Sequence, residues 1–261
     1  MIDIHSHILP GVDDGARSLA ESLKMAEIAA EDGIEKMVCT PHMFNGLSKN
    51  PLVSDVEQRV DELQRAIGEG LTVLPGNEVH FSIDIANQVG TTRICTLNRQ
   101  NYMLVEFPTL TVPRSAPKRL MQLCALGIHP ILVHPERNIE IQSRPSLVTE
   151  LIGQGILIQV TAMSVTGRFG AAAKLCADRL LKHRSVHFIA TDAHRPDKRP
   201  PILSAARDAA AEIIGTDGAR RLVVDNPLAV IEGRPITVEP PTPFDSESPS
   251  GTSFFGRLFS R

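Results

Sequence analysis

The sequence predicts an α/β protein, a (β/α)7 TIM-like barrel with its active site at the C-terminal ends of the strands. Two observations carry that expectation. Short apolar runs alternate with longer segments of helical periodicity, and ionisable residues collect where the apolar runs end. The strand-like runs are residues 2–6, 36–40, 71–75, 102–107, 129–133, 156–160 and 187–191. Between them, apolar residues recur at helical spacing, as in Leu19, Leu23, Ala26 and Ala30. Ser18-x-x-Glu21 and Ser54-x-x-Glu57 read as capping boxes that start two helices, and Gly127 and Gly155 stand where a helix stops before the next strand. Seven β-then-α units imply a parallel sheet with helices outside, and that number of units can close into a barrel. An open doubly wound sheet is the alternative. Its dinucleotide-binding form is disfavoured, because no glycine-rich loop follows the first run.

The 261 residues suit one large domain, expected over residues 1–238, and 42% hydrophobic with 22% charged residues is an ordinary globular composition. Residues 239–261 read as a Pro/Ser-rich linker followed by a short apolar-basic tail, Phe254 to Arg261, either a flexible end or a docking peptide. A net charge of −3 gives no reason to expect a nucleic acid partner. Cys39, Cys95, Cys124 and Cys176 form no CxxC pair and read as buried small hydrophobes. The chain opens without a signal-peptide pattern and contains no apolar run long enough to span a bilayer. A cytoplasmic location is the resulting expectation.

His5 and His7 end the first run, and two residues apart on a strand their side chains share a face. Asp13 and Asp14 follow in the loop. His42 comes just after the second run, Glu78 after the third, Glu106 at the close of the fourth, His134 after the fifth, and Asp192 with His194 after the seventh. Only the sixth run, ending at Thr161-Ala162, delivers no such residue. A lone histidine at a strand end usually reads as packing. Together these residues call for divalent cations, because carboxylates crowded at one barrel mouth would repel. Imidazole mixed with carboxylate suits Zn, Mn or Fe. His129 and His187 begin strands at the far end, His183 sits near a helix end, and His80 reads as a pocket residue rather than a ligand. Arg137 and Arg199 follow His134 and His194 and match phosphate oxygens in bidentate fashion, with a plain surface role as the alternative and Arg195 as a rival to Arg199. Phe44, Phe81 and Phe107 lie beside these residues, either flanking a bound phenyl ring or simply packing.

The segments Asp3-Ile4-His5-Ser6-His7-Ile8-Leu9-Pro10-Gly11-Val12-Asp13-Asp14-Gly15, Thr40-Pro41-His42, Gly76-Asn77-Glu78, Val133-His134-Pro135-Glu136-Arg137 and Thr191-Asp192-Ala193-His194 resemble the polymerase-and-histidinol-phosphatase (PHP) superfamily. Within it, the chain is most similar to the bacterial capsular-polysaccharide type of tyrosine-protein phosphatase, over residues 1 to about 230. The resemblance implies a distorted barrel with two or three divalent metals, usually Mn, with Fe, Zn, Co or Mg as other candidates. It implies that His5, His7, Glu78 and Asp192 hold one metal and that Glu78 bridges to a second with Glu106 and His134. Asp14, His42 and His194 hold the third, the choice of Asp14 over Asp13 resting on the motif match alone. The substrate-binding arginines of the family match Arg137 and Arg199.

The implied reaction is hydrolysis of phosphotyrosine by attack of a metal-bridging hydroxide, with tyrosinate as a tolerable leaving group. The implied partner is an autophosphorylating bacterial tyrosine kinase in polysaccharide synthesis or export. Thiol-based tyrosine phosphatases need Cys-x5-Arg, whereas Asn45, Asn101, Pro130 and Lys182 stand six residues beyond the four cysteines here. A PHP phosphatase of a small ester such as histidinol phosphate would share the same ligands. A PHP nuclease or phosphodiesterase is disfavoured by the acidic balance, and a non-catalytic metal-binding partner of polysaccharide machinery by the completeness of the ligand set.

Overall fold

Among the described residues, 1–46, 49–82 and 84–244 of a computed structural model, nine strands form. They are β1 (Ile2–Ser6), β2 (Lys36–Cys39), β3 (His42–Met43), β4 (Thr72–Pro75), β5 (Glu78–His80), β6 (Tyr102–Glu106), β7 (His129–Val133), β8 (Leu157–Thr161) and β9 (Phe188–Ala190). Every pairing is parallel, in the orders β1-β2-β4 and β3-β5-β6-β7-β8-β9. The seven expected runs each hold one strand, with ends displaced by no more than one residue.

Strands β3 and β5 are the additions. The second and third runs resume after short breaks, at Thr40-Pro41 and at Gly76-Asn77. Pro41 has no N–H to place in a ladder. Gly76 is required for space, since a Cβ there would lie 2.9 Å from Val38 Cγ1 and 3.0 Å from Leu97 Cδ2. Asn77 spans the break, donating from Nδ2 to the Pro41 carbonyl at 3.3 Å and accepting the Cys95 N–H at 2.7 Å.

The first and last strands meet through a few backbone bonds. The Asp192 N–H donates to the His5 carbonyl at 2.9 Å, and the His7 N–H to the Ala193 carbonyl at 2.8 Å. Asp3, fully buried, accepts the Thr191 N–H at 3.0 Å and the Thr191 hydroxyl. Burial raises its carboxyl to about 6 despite those bonds.

The helices are α1 (Leu19–Glu31), α2 (Val53–Ile67), α3 (Ala116–Ala125), α4 (Ile139–Ser143), α5 (Ser146–Ile152), α6 (Ala162–Val165), α7 (Ala171–Lys182), α8 (Ser204–Ile214), α9 (Thr216–Arg220) and α10 (Asn226–Ile231). Both faces of the strands are covered, as parallel sheets require. One buried cluster joins Ile2, Ile4, Val38, Leu104, Ile131, Val133, Leu157, Phe188 and Ala190 with Val230 and Ile231 of α10. A larger cluster lies on the helix side and includes Met25, Val60, Leu63, Leu120, Leu123 and Leu180. Cys39, Cys95 and Cys176 are buried free thiols, and burial pushes the latter two up to about 12, which makes them poor nucleophiles.

The capping expectations divide. Ser18 caps α1 by accepting the Glu21 N–H at 3.3 Å, while the Glu21 carboxylate reaches past it to the Arg17 N–H at 2.9 Å. The Ser54 box does not form: Leu52 takes the cap position two residues earlier, and the Asp55 carboxylate accepts the Leu52 N–H at 3.1 Å. An aspartate one turn in is the stronger acceptor for a free helix N–H. The expected linker begins at Glu239, and its described part meets the C-terminal end of α7. Glu239 pairs with Arg184 and Arg221, the Thr242 N–H donates to the His183 carbonyl at 2.9 Å, and the Phe244 ring stacks on His183 at 4.0 Å. The apolar-basic tail expected at 254–261 lies outside the described residues.

Two stability tests follow from this frame. Asp32, after α1, accepts the Leu203 N–H at 2.6 Å and the Ser204 N–H at 2.9 Å and so ties the start of α8 to α1. Asp32→Ala should lower stability by about 1–2 kcal/mol in urea unfolding. His187 is buried with Nδ1 accepting the Ile158 N–H at 3.0 Å, and burial lowers its pKa to about 4. Against an unfolded value of about 6.5, the unfolded chain takes up this proton first, so stability present above that pH is lost as pH falls towards 4. The loss is on the order of 2–3 kcal/mol, and His187→Asn, which keeps an acceptor, should remove it from the difference between unfolding curves at neutral and acid pH.

Candidate metal centre

Parallel strands deliver their C-terminal ends to one rim, and all nine residues expected as ligands arrive there. The His5-x-His7 pair is aimed by an irregularity in β1. Its register with β2 runs Asp3↔Met37 and then Ser6↔Cys39, three steps against two. The extra residue lets Ile4 and His5 face the same side. Ile4 joins the inner cluster, and His5 Nδ1 meets Gln159 Oε1 at 2.8 Å on the face of β8 that also carries Leu157 of that cluster. At other strand ends the backbone turns sharply. His134 (φ 36) and Asp192 (φ 52) adopt left-handed conformations, which cost non-glycine residues on the order of 1–3 kcal/mol.

The donor atoms converge in four overlapping groups, each within 4.8 Å: His7, Asp14, His42 and His194; His5, His134 and Asp192; His5, His7 and Glu78; His42, Glu78 and Glu106. Five imidazoles and four carboxylates are thus brought together, with Glu78 at the centre. Its Oε2 lies 3.3 Å from both His5 Nε2 and His7 Nε2, and its Oε1 accepts from His134 Nε2 at 2.8 Å. His134 falls nearer Glu78 than Glu106, from which it is 3.9 Å away. Asp14 reaches His42 at 3.4 Å and His194 at 3.5 Å.

Whether these residues suit a cation can be judged from their own geometry. His5 Nε2 and His7 Nε2 face each other at 3.3 Å. His42 Nδ1 and Glu78 Oε2 are only 2.8 Å apart, yet both are buried and neither has an aligned hydrogen bond among the described residues. Lone pairs aimed at common points, with no donor between them, fit divalent ions bound by nitrogen and oxygen.

The electrostatics say the same. Burial pushes the His5 imidazole down, but the Glu78 and Asp192 charges raise it overall, and Asp13 does the same for His7. His42 is raised to about 9, with Asp14 and Glu78 outweighing burial and the His7 charge. Burial would raise Glu78 and Asp192, but the His5 charge on the first and the Arg199 charge on the second hold both well below the usual carboxylate range. Protons on imidazoles and cations on carboxylates are alternative answers to the same buried negative charge.

Above this floor lies a cavity of about 270 Å³, open to solvent, whose walls include Asn45, His80, Arg137 and Arg199 as well as the ligand-type residues. Arg137 Nη1 donates to Asp192 Oδ2 at 2.9 Å, and Arg199 Nη2 donates to the same oxygen. Arg199 Nε is buried and has no hydrogen-bond partner among the described residues. Arg195 meets Arg199 through the backbone and does not line the cavity. A larger cavity of about 520 Å³ lies elsewhere, beside His187, Arg221 and Glu239, and gathers none of the nine donors. The chemistry belongs to the smaller one.

A family model for capsular polysaccharide synthesis, CpsB/CapC, matches residues 1–232. The chain belongs to the CpsB/CapC family. It is 36% identical to the tyrosine-protein phosphatase YwqE of Bacillus subtilis over 246 residues, covering 93% of this chain and 96% of that protein. It is 33% identical to the tyrosine-protein phosphatase CpsB of Streptococcus pneumoniae, covering 88% and 98%. One chain from the crystal structures of these two proteins, described as unique metal-dependent tyrosine phosphatases, superposes with a TM-score of 0.89 at 34% identity, over 94% of this chain and 100% of that one. The histidinol phosphate phosphatase of Lactococcus lactis, solved with Zn, L-histidinol and phosphate, shares the fold at a TM-score of 0.54 and 11% identity.

Several contributors to this CpsB/CapC-family site have roles that the sequence pattern alone does not assign. Asp13 joins none of the donor groups. Its carboxylate is committed to His7 Nδ1 at 2.8 Å, the Gly15 N–H at 3.0 Å and the His42 N–H at 3.0 Å. Gly15 completes the motif because a Cβ there would sit 2.0 Å from the His7 carbonyl oxygen. Gln159 gives the sixth expected strand its part in the site, orienting His5. Glu136, whose carboxyl is raised by burial, accepts the Thr161 N–H at 3.0 Å and fixes the loop that bears Arg137. Of the aromatic candidates, Phe81 and Phe107 pack edge to face at 5.5 Å in the helix-side core, and Phe44 packs partly buried against it. Phe169 is the aromatic residue beside the arginines, with Arg137 Cζ 4.7 Å and Arg199 Cζ 5.3 Å from its ring centre. An outer-sphere carboxylate of the Asp13 kind tunes affinity strongly, so Asp13→Ala should weaken metal binding about 10- to 100-fold in chelator competition.

Proposed function

We propose that this chain is a metal-dependent tyrosine-protein phosphatase, a phosphoric monoester hydrolase acting on a phosphotyrosine protein of capsular polysaccharide synthesis. One observation carries the reading. A floor of five imidazoles and four carboxylates lies under two cavity arginines, in a chain alignable along nearly its whole length with phosphatases of that name.

His5, His7, Asp14, His42, Glu78, Glu106, His134, Asp192 and His194 would hold two or three divalent ions, with Mn the first candidate. When bound, such ions supply Lewis acidity and an activated water. Arg137 and Arg199 bind the phosphoryl oxygens. Both stay oriented by Asp192 Oδ2, and Arg199 Nε is a ready donor. Fixed guanidinium groups counter the charge that develops as the bond to the tyrosyl oxygen breaks. The phenolate, with a pKa of about 10, departs without a strong acid at its oxygen. The open cavity suits a side chain presented on a peptide.

The backbone bonds from Asp192 to His5 and from His7 to Ala193 support reading the two sheets as one distorted (β/α)7 barrel over residues 1–238. Four unpaired cysteines suit a reducing cytoplasm, and no helix among the described residues is long and apolar enough to cross a membrane. An autophosphorylating tyrosine kinase is the partner this chemistry calls for.

Hydrolysis of a phosphotyrosine peptide should exceed that of histidinol phosphate and of a dinucleotide phosphodiester, and should stop with chelator. Arg137→Ala and Arg199→Ala should each lower kcat/KM about 100-fold with metal retained. Preference for histidinol phosphate would overturn the substrate, and turnover that survives chelator would overturn the mechanism.

A further inference from the structure

We propose that Phe169 is a positioning residue for phosphate recognition, an aromatic platform that holds Arg137 and Arg199 together. The inference rests on the reading of those arginines as the phosphate-binding pair. Phe169 comes from the loop between α6 and α7, after the one expected strand that ends without an ionisable residue. Gly167 (φ +81) and Gly170 (φ +94) bracket the turn, and the Phe169 N–H donates to the Met163 carbonyl at 3.2 Å, which fixes where the ring projects. Both guanidinium carbons then lie over that ring, at 4.7 and 5.3 Å from its centre, inside the roughly 6 Å reach of a cation–π contact.

The choice of an aromatic face has a physical logic. Two guanidinium groups brought to one cavity wall repel, and Asp192 offers them a single shared oxygen. A second carboxylate would relieve the repulsion but would occupy the N–H donors and compete with the phosphate dianion. The face of a phenyl ring carries partial negative charge and accepts the flat side of a guanidinium, leaving its in-plane N–H groups free. Phe169 thus gathers the pair without neutralising it.

The test compares metal-loaded wild type with Phe169→Met and Phe169→Leu, which keep an apolar side chain without the ring, and with Phe169→Tyr and Phe169→Trp, which keep the ring. Inhibition by inorganic phosphate, kcat and KM on a phosphotyrosine peptide, bound metal and Tm are read for each. The ring-free variants should bind inorganic phosphate about tenfold more weakly and lose about tenfold in kcat/KM, with metal and Tm kept. Phe169→Tyr and Phe169→Trp should stay within about threefold of wild type. Ring-free variants that bind phosphate as wild type does would overturn the proposal. So would ring-bearing variants that fall equally far, or ring-free ones that lose metal or melt early, since the role would then be packing. Arg137→Ala and Arg199→Ala separate the two levels. If they too leave phosphate inhibition unchanged, the arginine reading itself fails; if they weaken it while Phe169→Met does not, only the platform fails.

Discussion

Glu78 and Asp192 are carboxylates with side chains almost wholly removed from water, and the rest of the site is arranged around keeping them charged. A buried anion without compensation costs several kcal/mol even after the protein relaxes. Compensation here comes from three directions at once: imidazoles from β1, β3 and the loops after β7 and β9, arginines from the rim, and whatever cations the nest admits. The same demand explains why so many rim residues are themselves pinned. Asp13 holds His7, Gln159 holds His5, and Glu136 holds the loop of Arg137. A lone pair aimed half an ångström away from the common point would help the carboxylates little and a metal still less.

That arrangement is obtained by departing from regular structure. The strand carrying His5 and His7 takes an extra residue against its neighbour, two other strands break and resume just before His42 and Glu78, and His134 and Asp192 turn in left-handed conformations. Each departure redirects a side chain that an unbroken strand would send elsewhere. The two buried clusters, inner and helix-side, provide the rigidity that keeps these local costs from relaxing.

The regular part of the fold was legible because it follows period and spacing. Runs of apolar residues gave the seven principal strands to within a residue, and ionisable residues just beyond them marked the rim. The irregular part was less so. A two-residue strand such as β3 has no periodicity to read, and only its pairing with β5 defines it. Ser54 and Asp55 compete for one helix start, and the sequence does not say which turn comes first. Asp13 and Asp14 have the same chemistry and adjacent positions; what separates them is which way the loop turns, with Gly15 packed against the His7 carbonyl. Phe169 stands far along the chain from either arginine's motif, so only the folded loop brings the three together.

The hydrogen bonds that join Asp192 to His5 and His7 to Ala193 also set a condition on the order of folding. His5 and His7 stand 187 residues before Asp192 and His194, and Asp14, His42, Glu78, Glu106 and His134 fall between them. Contacts of such long sequence separation form late, once the intervening units have folded. A nascent chain therefore offers His5 and His7 without the partners that would complete a tight site. Any cation the nest takes would be held firmly only after these distant segments have met, so that its capture would mark completed folding.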